Sequence, residues 1–313
     1  MKIGVHLANG GVWASPETII GLGERAEALG FDSVWVSDHV VIPTRIESTY
    51  PYGPPGTFTA QTSQNYFEPF AVLAFIAGRT RRVELGTTVL VVPQRPPLLI
   101  AKQWATLDAL AGGRTILGIG AGWMREEFAA LGADTFDRRG PATDEAIQIF
   151  RRAWTEPGDV SFEGSVYRFD AVRVMPKPAR AGGPPIWIGG HGKRSIRRAA
   201  ELGDGWHPIR VAADEVKAGV ATLRELLPNY GRKPEDVVIS VVLNAYAPGS
   251  RPAGGGQEWE LAGDPDAIAE TLRRYAAVGV EHVVLNPFPK DSLDAMLGAL
   301  KLVAGEVRPR LAG

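Results

Sequence analysis

The chain contains no cysteine, which excludes a disulfide framework, thiolate-ligated zinc and a cysteine nucleophile together. Neither sign of charge is in excess: Lys+Arg number 34 against Asp+Glu 35, for a net charge of -1. That balance argues against a nucleic-acid-binding surface spread over the protein. No apolar run approaches the ~18–20 residues a membrane span needs. The opening residues, MKIGVHLANGG, read as a strand and loop rather than a secretory leader. The expectation is a soluble, cytoplasmic protein. The histidines (His6, His39, His191, His207 and His282) are scattered singly, with no HxH or HExxH pair, so no metal centre is expected. A GxSxG elbow is also missing, as is a GxGxxG fingerprint after the first strand.

What the chain does have is a regular alternation of short apolar runs and amphipathic stretches over its 313 residues. Strands are expected at 2–7, 33–37, 82–92, 115–122 with its turn, 185–190, a short piece in DGWHP, 237–246 and 282–288. Between them, helices are expected at 16–29, 68–78, 97–110, 141–154, 194–202, 213–227, 264–278 and 293–305. Ser15 as N-cap and Pro16 in the first turn form a start signal for the first of these, with Gly30 as its stop, and Asp264 and Pro265 form the start signal of the seventh. About eight strand–helix units imply parallel pairing with right-handed crossovers, and at this length a closed (β/α)8 barrel. The whole chain, 1–313, is read as one such domain, with insertions at about 42–66, 155–184 and 247–262. The second insertion looks like a hairpin over Val160–Phe169.

In such barrels the chemistry collects where the strands end. Asp38-His39 closes the run SVWVS, directly before the long 42–66 loop. It is either a polar turn or a reaction centre. Thr87 and Thr88 interrupt an otherwise apolar strand. Their hydroxyls either bond to neighbouring backbone or mark a place where the backbone bulges toward a flat ligand. GIGAGW (Gly118–Trp123) allows close backbone approach, and is a weak signal alone. In IWIGGHGKRS (Ile186–Ser195), two glycines precede a helix start carrying Lys193, Arg194 and Ser195. Free N–H groups, the helix dipole and cations together make an anion site. Arg197 and Arg198, one turn on, read as plain surface.

Taken together, GFDSVWVSDHVVIP, LGTTVLVVPQRPPLLIAKQWATLDALAGGR, LGIGAGWMREEF, PIWIGGHGKRSIRRAAELGDGWHP and AGDPDAIAETLRRYAAVGVEHVVL resemble the bacterial luciferase-like superfamily, most of all its deazaflavin-dependent branch. The resemblance covers nearly the whole chain. It implies a (β/α)8 barrel that binds coenzyme F-420, or alternatively flavin mononucleotide (FMN), at the C-terminal ends of its strands. His39 would handle the proton during hydride transfer, and Asp38 would orient the region and bond to a non-prolyl cis bulge at Thr88-Val89. Thr87, Gly120, Ala121, Gly122, Gly189, Gly190, His191, Lys193 and Arg194 would complete the coenzyme site. Where sugar-phosphate-oxidising relatives carry an acidic Glu after the fourth strand, this chain has Trp123. Glu126 and Glu127 follow a turn later and are expected to face elsewhere. Trp123 with Trp13, Tyr50, Tyr66 and Phe67 would form an aromatic pocket, with His207 nearby, for a flat or hydrophobic small molecule. The competing readings are an FMN-dependent monooxygenase, a silent flavin-binding barrel and an aldolase-type barrel. The last would need a Lys or paired carboxylates in the core strands, and none is found. A homodimer is expected by analogy with relatives.

Overall fold

In the computed structural model, which describes residues 1–52, 58, 62–250, 256–288 and 292–311, eight parallel strands close on themselves. They are β1 (Lys2–His6), β2 (Ser33–Val36), β3 (Glu84–Thr87), β4 (Thr115–Gly120), β5 (Ile186–Gly189), β6 (Gly205–His207), β7 (Val238–Tyr246) and β8 (His282–Phe288). Closure is made where Ile3 of β1 lies beside Val283 of β8. Helices α1 (Pro16–Ala28), α2 (Pro69–Arg79), α3 (Pro97–Leu110), α4 (Arg125–Ala130), α5 (Arg139–Thr155), α6 (Lys193–Leu202), α7 (Ala213–Leu226), α8 (Pro265–Ala277) and α9 (Leu293–Leu302) wrap the outside.

Local chemistry explains the boundaries. The Ser15 side chain accepts from Thr18 N at 3.2 Å, so α1 begins with one of its orphan donors satisfied. Ile19, Leu22 and Ala26 then recur at helical spacing and are buried. Glu68 and Asp264 cap α2 and α8 in the same way.

The barrel interior is filled by aromatic rings. Trp35 is fully buried, stacks on Trp187 with centroids 5.2 Å apart, and stacks on His207, also at 5.2 Å. Its indole N–H donates to Ser33 Oγ at 2.7 Å, and Ser33 Oγ lies 2.8 Å from His282 Nε2. Removing about 200 Å² of indole from water contributes about 5 kcal/mol. Because the indole N–H has a partner, that gain is not offset by an unpaired donor.

Two expectations are corrected. The strand expected over 82–92 is broken: β3 ends at Thr87, the Thr88–Val89 peptide is cis, and pairing resumes at Leu90–Val91. The last helix does not stop near residue 305, but continues through a π-type turn at Val303–Val307 to Leu311. A two-residue antiparallel pair, Gly10–Gly11 with Asn65–Tyr66, ties the end of the 42–66 insertion to the loop after β1. The 155–184 insertion does hold an antiparallel hairpin, Val160–Glu163 with Arg168–Val172. Glu145 of α5 anchors its turn by accepting from Ser165 N at 2.7 Å and Tyr167 N at 2.9 Å. In the third insertion, Glu260–Leu261 adds to β7. Residues 53–57 and 59–61 of the expected lid and 251–255 of the expected loop lie outside the described residues. No helix among the described residues is long and apolar enough to cross a membrane.

Candidate active site

The C-terminal ends of the strands surround a cavity of about 900 Å³. One half is aromatic, walled by His39, Tyr50, Phe58, Tyr66 and Trp123; the other is basic, with Arg139, Arg194, Arg197 and Arg198. The aromatic wall is knit edge to face. Trp123 meets Phe58 at 4.9 Å and Tyr50 at 5.2 Å between centroids.

His39 follows β2 at the boundary of the aromatic half. Its Nδ1 lies 2.8 Å from Glu127 Oε2, while the other oxygen of Glu127 accepts from Val40 N at 2.8 Å. An ionised carboxylate only accepts, so Nδ1 carries the proton and Nε2 is the nitrogen available to the cavity. Burial pushes the Glu127 carboxyl up, but hydrogen bonds from His39, Gln94 and Val40 outweigh it and hold the group below its ordinary value. The expectation that Glu127 faces elsewhere is therefore wrong. Successive helix residues point about 100° apart, so adjacent glutamates cannot share a target. Glu126 turns instead to Glu47 N and Ser48 N, at 2.8 and 3.0 Å.

Asp38 is also buried. It takes a bidentate pair from Arg95, with both distances 2.7 Å, and accepts from Val91 N at 2.8 Å. Its backbone bond is thus to Val91, beyond the cis peptide, and not to the Thr88–Val89 peptide itself. Sequence reasoning missed Arg95, whose signal was a lone cation between apolar and proline residues after a core strand.

The cis Thr88–Val89 peptide lies on the cavity floor. Thr88 Oγ1 is 3.0 Å from His207 Nε2, and His207 Nδ1 is 2.9 Å from Ser240 Oγ. Burial pushes the His207 pKa down to about 3, so the ring is neutral and backs the floor. A Cβ at Gly120 or Gly189 would come within 2.7 Å of a Val89 methyl. These two glycines make room for the bulge, which is a different reason for glycine than approach by a ligand.

At the basic end, α6 starts at Gly192 without a side-chain cap. Arg198 is buried, paired with Asp144 and donating to Gly140 O at 3.2 Å. Reading Arg197 and Arg198 as plain surface is corrected, since both line the cavity.

The structure gathers Asp38, His39, Tyr66, Thr88, Val89, Gly120, Ala121, Gly122, Trp123, Gly189, Gly190, His191, Arg194 and His207 around this one cavity. Four expected members lie elsewhere. Thr87 is fully buried and donates to Gly118 O at 2.7 Å, the bland reading of that hydroxyl. Lys193 is exposed and outside the lining. Trp13 is an exposed loop residue away from the cavity, and Phe67 packs against the barrel's outer core.

The sequence profile of the luciferase-like monooxygenase family matches residues 1–248. The chain belongs to that family. Family membership makes the protein an oxidoreductase. It is 28% identical to an F-420-dependent glucose-6-phosphate dehydrogenase of Intrasporangium calvum, over 87% of this chain and 89% of that one. The fold also resembles an F-420-dependent secondary alcohol dehydrogenase solved with an F-420–acetone adduct (TM-score 0.78, 19% identity, 98% and 99% of the two chains). It resembles likewise a type II Baeyer-Villiger monooxygenase from Pseudomonas putida in complex with FMN (TM-score 0.74, 16% identity, 99% of each chain).

Proposed function

We propose that this luciferase-like protein is a coenzyme F-420-dependent oxidoreductase that transfers hydride between the deazaflavin and a small hydrophobic or aromatic substrate. The observation that carries this reading is one cavity with an oriented imidazole and aromatic wall at one end and an arginine-lined helix start at the other. A flat ring with an anionic tail fits that division. Thr88-Val89 would support the ring, and Arg194, Arg197 and the N–H groups at the start of α6 would hold the phosphate. Bound there, the coenzyme supplies two-electron hydride chemistry.

The protein's own contribution is positional and protic. His39 Nε2 accepts or returns the substrate proton while Glu127 holds Nδ1. Tyr50, Phe58 and Trp123 line the reacting end and would keep water from it once the coenzyme and substrate are bound. Trp123, standing where an acid was expected in sugar-phosphate oxidisers, favours an apolar substrate.

A second reading, an FMN-dependent monooxygenase, is favoured by the family profile and the FMN-bound neighbour. Titrating the purified protein with each coenzyme separates the two by fluorescence quenching. Tight FMN binding without F-420 binding would sink the first reading.

A further inference from the structure

Beside His39 stands a second polar group for which the coenzyme reading has no use. Tyr66 lines the cavity with its ring edge-on to His39, centroids 5.2 Å apart and planes at 85°. Its segment is held by Asn9, whose amide nitrogen donates to Ser37 O at 2.9 Å and Phe67 O at 2.8 Å. Asn9 Oδ1 completes the clamp by accepting from Ser37 N at 2.9 Å. The tyrosine ring lies over Gly10, where a Cβ would come within 2.4 Å of Cε2. Ring and hydroxyl are therefore placed by the ends of β1 and β2.

The direction of the hydrogen bonds follows from one backbone donor. Ala8 N donates to His6 Nδ1 at 3.0 Å, so that nitrogen bears no proton and Nε2 must carry it. His6 Nε2 then donates to Ser37 Oγ, 2.7 Å away. Ser37 also lines the cavity and hydrogen-bonds to the Tyr66 hydroxyl, and that bond lowers the phenol pKa, the sense in which a donor acts on a phenol oxygen. Tyr66 Oη is thus an acceptor toward Ser37, and its own proton has no acceptor among the described residues. The two carboxylates felt by the phenol, Asp38 and Glu127, are occupied by Arg95 and Val91, and by His39 and Val40. Burial pushes the phenol pKa up despite the hydrogen bond from Ser37, so the proton stays on oxygen near neutral pH.

We infer that Tyr66 is a catalytic residue that donates its hydroxyl proton in a hydrogen bond to the substrate oxygen, beside the proton-accepting Nε2 of His39. The donor–acceptor pair selects a substrate whose reacting carbon bears that oxygen, an alcohol in one direction and a carbonyl in the other. This inference rests on the coenzyme reading above. In oxidation, the alcohol carbon gives its hydride, a hydrogen with two electrons, to the deazaflavin. The hydroxyl proton passes to His39 Nε2, and the C–O single bond becomes C=O. In reduction the hydride and proton return along the same routes. Tyr66 keeps its proton throughout and stabilises the partial negative charge on oxygen.

The test uses the coenzyme-loaded protein with acetophenone and 1-phenylethanol as probes, since the pocket is aromatic. Tyr66→Phe keeps the ring and loses only the hydroxyl. It is expected to lower kcat about a hundredfold with the coenzyme dissociation constant changed less than about twofold. Ser37→Ala, which spares the tyrosine, is expected to lower kcat about tenfold. The second readout is the infrared carbonyl stretch of carbon-13-labelled acetophenone on the protein. It should be shifted to lower frequency in the wild type and return toward its solution value in Tyr66→Phe, an effect that a packing role does not produce. A Tyr66→Phe protein with unchanged kcat, a carbonyl band independent of Tyr66, or a loaded protein that takes up no ketone overturns the inference. If neither deazaflavin nor FMN binds, the coenzyme reading itself has failed.

Discussion

Glu127 Oε2 sits 2.8 Å from His39 Nδ1, joining the first turn of α4 to the end of β2 across 88 residues of sequence. The bond fixes the imidazole's orientation and which nitrogen bears the proton in the neutral ring.

Replacing Glu127 with Gln keeps a hydrogen-bonding group of the same size but removes the charge that balances a protonated His39. The expected outcome is a fall in kcat of about a hundredfold, with coenzyme affinity changed less than about threefold. Steady-state kinetics together with coenzyme titration check both. Glu127→Ala should in addition lower stability by about 1–3 kcal/mol, because Val40 N loses its acceptor.

Asp38 and Arg95 form a buried pair, their side chains 0% and 12% exposed. Asp38→Asn leaves the guanidinium with Glu68 at 3.9 Å as its remaining carboxylate. The variant should be destabilised by about 3 kcal/mol, measured by urea unfolding. Because Asp38 also accepts from Val91 N, coenzyme affinity should weaken with it as the floor loosens.

In the proposed reading, the arginines at the start of α6 would hold the coenzyme tail by charge. Arg194→Ala is expected to weaken coenzyme binding about tenfold, as for the loss of one charge-assisted hydrogen bond. The same change should flatten the dependence of affinity on salt. An unchanged dissociation constant from low to high ionic strength would show that the tail lies elsewhere.

His207 and His282 are both buried, and burial pushes each pKa down from 6.5 to about 3. Above about pH 6.5 both are neutral whether the chain is folded or not. Below it, the unfolded chain binds protons that the native state does not, so stability falls as the pH drops from about 6.5 toward 3. Each histidine adds a slope of about 1.4 kcal/mol per pH unit in that window. Urea unfolding across the window should show this fall, and His282→Gln should flatten it.

The sequence by itself determined the architecture. Strand and helix alternation is a local signal, carried by side-chain periodicity and by caps such as Ser15 and Asp264, and it fixes a parallel closed sheet once connection rules are applied. It also marked the rim, since Asp38, His39, Thr88 and the glycine turns are polar or small where a core strand would have no use for them. What it left undecided was the phase of side chains beyond the strands. A one-residue rotation separates Glu127, inside against His39, from Glu126, outside on the 47–48 backbone. The same is true of Arg198, buried against Asp144 one position from the half-exposed Arg197. Thr87 and Thr88 are neighbours, yet one bonds the Gly118 carbonyl and the other faces the cavity with His207. Asn9 meets Phe67, and Gly10 meets Tyr66, only because two strand ends come together in the closed barrel. Contacts between residues distant in sequence depend on register and helix phase, and the tertiary packing alone sets both.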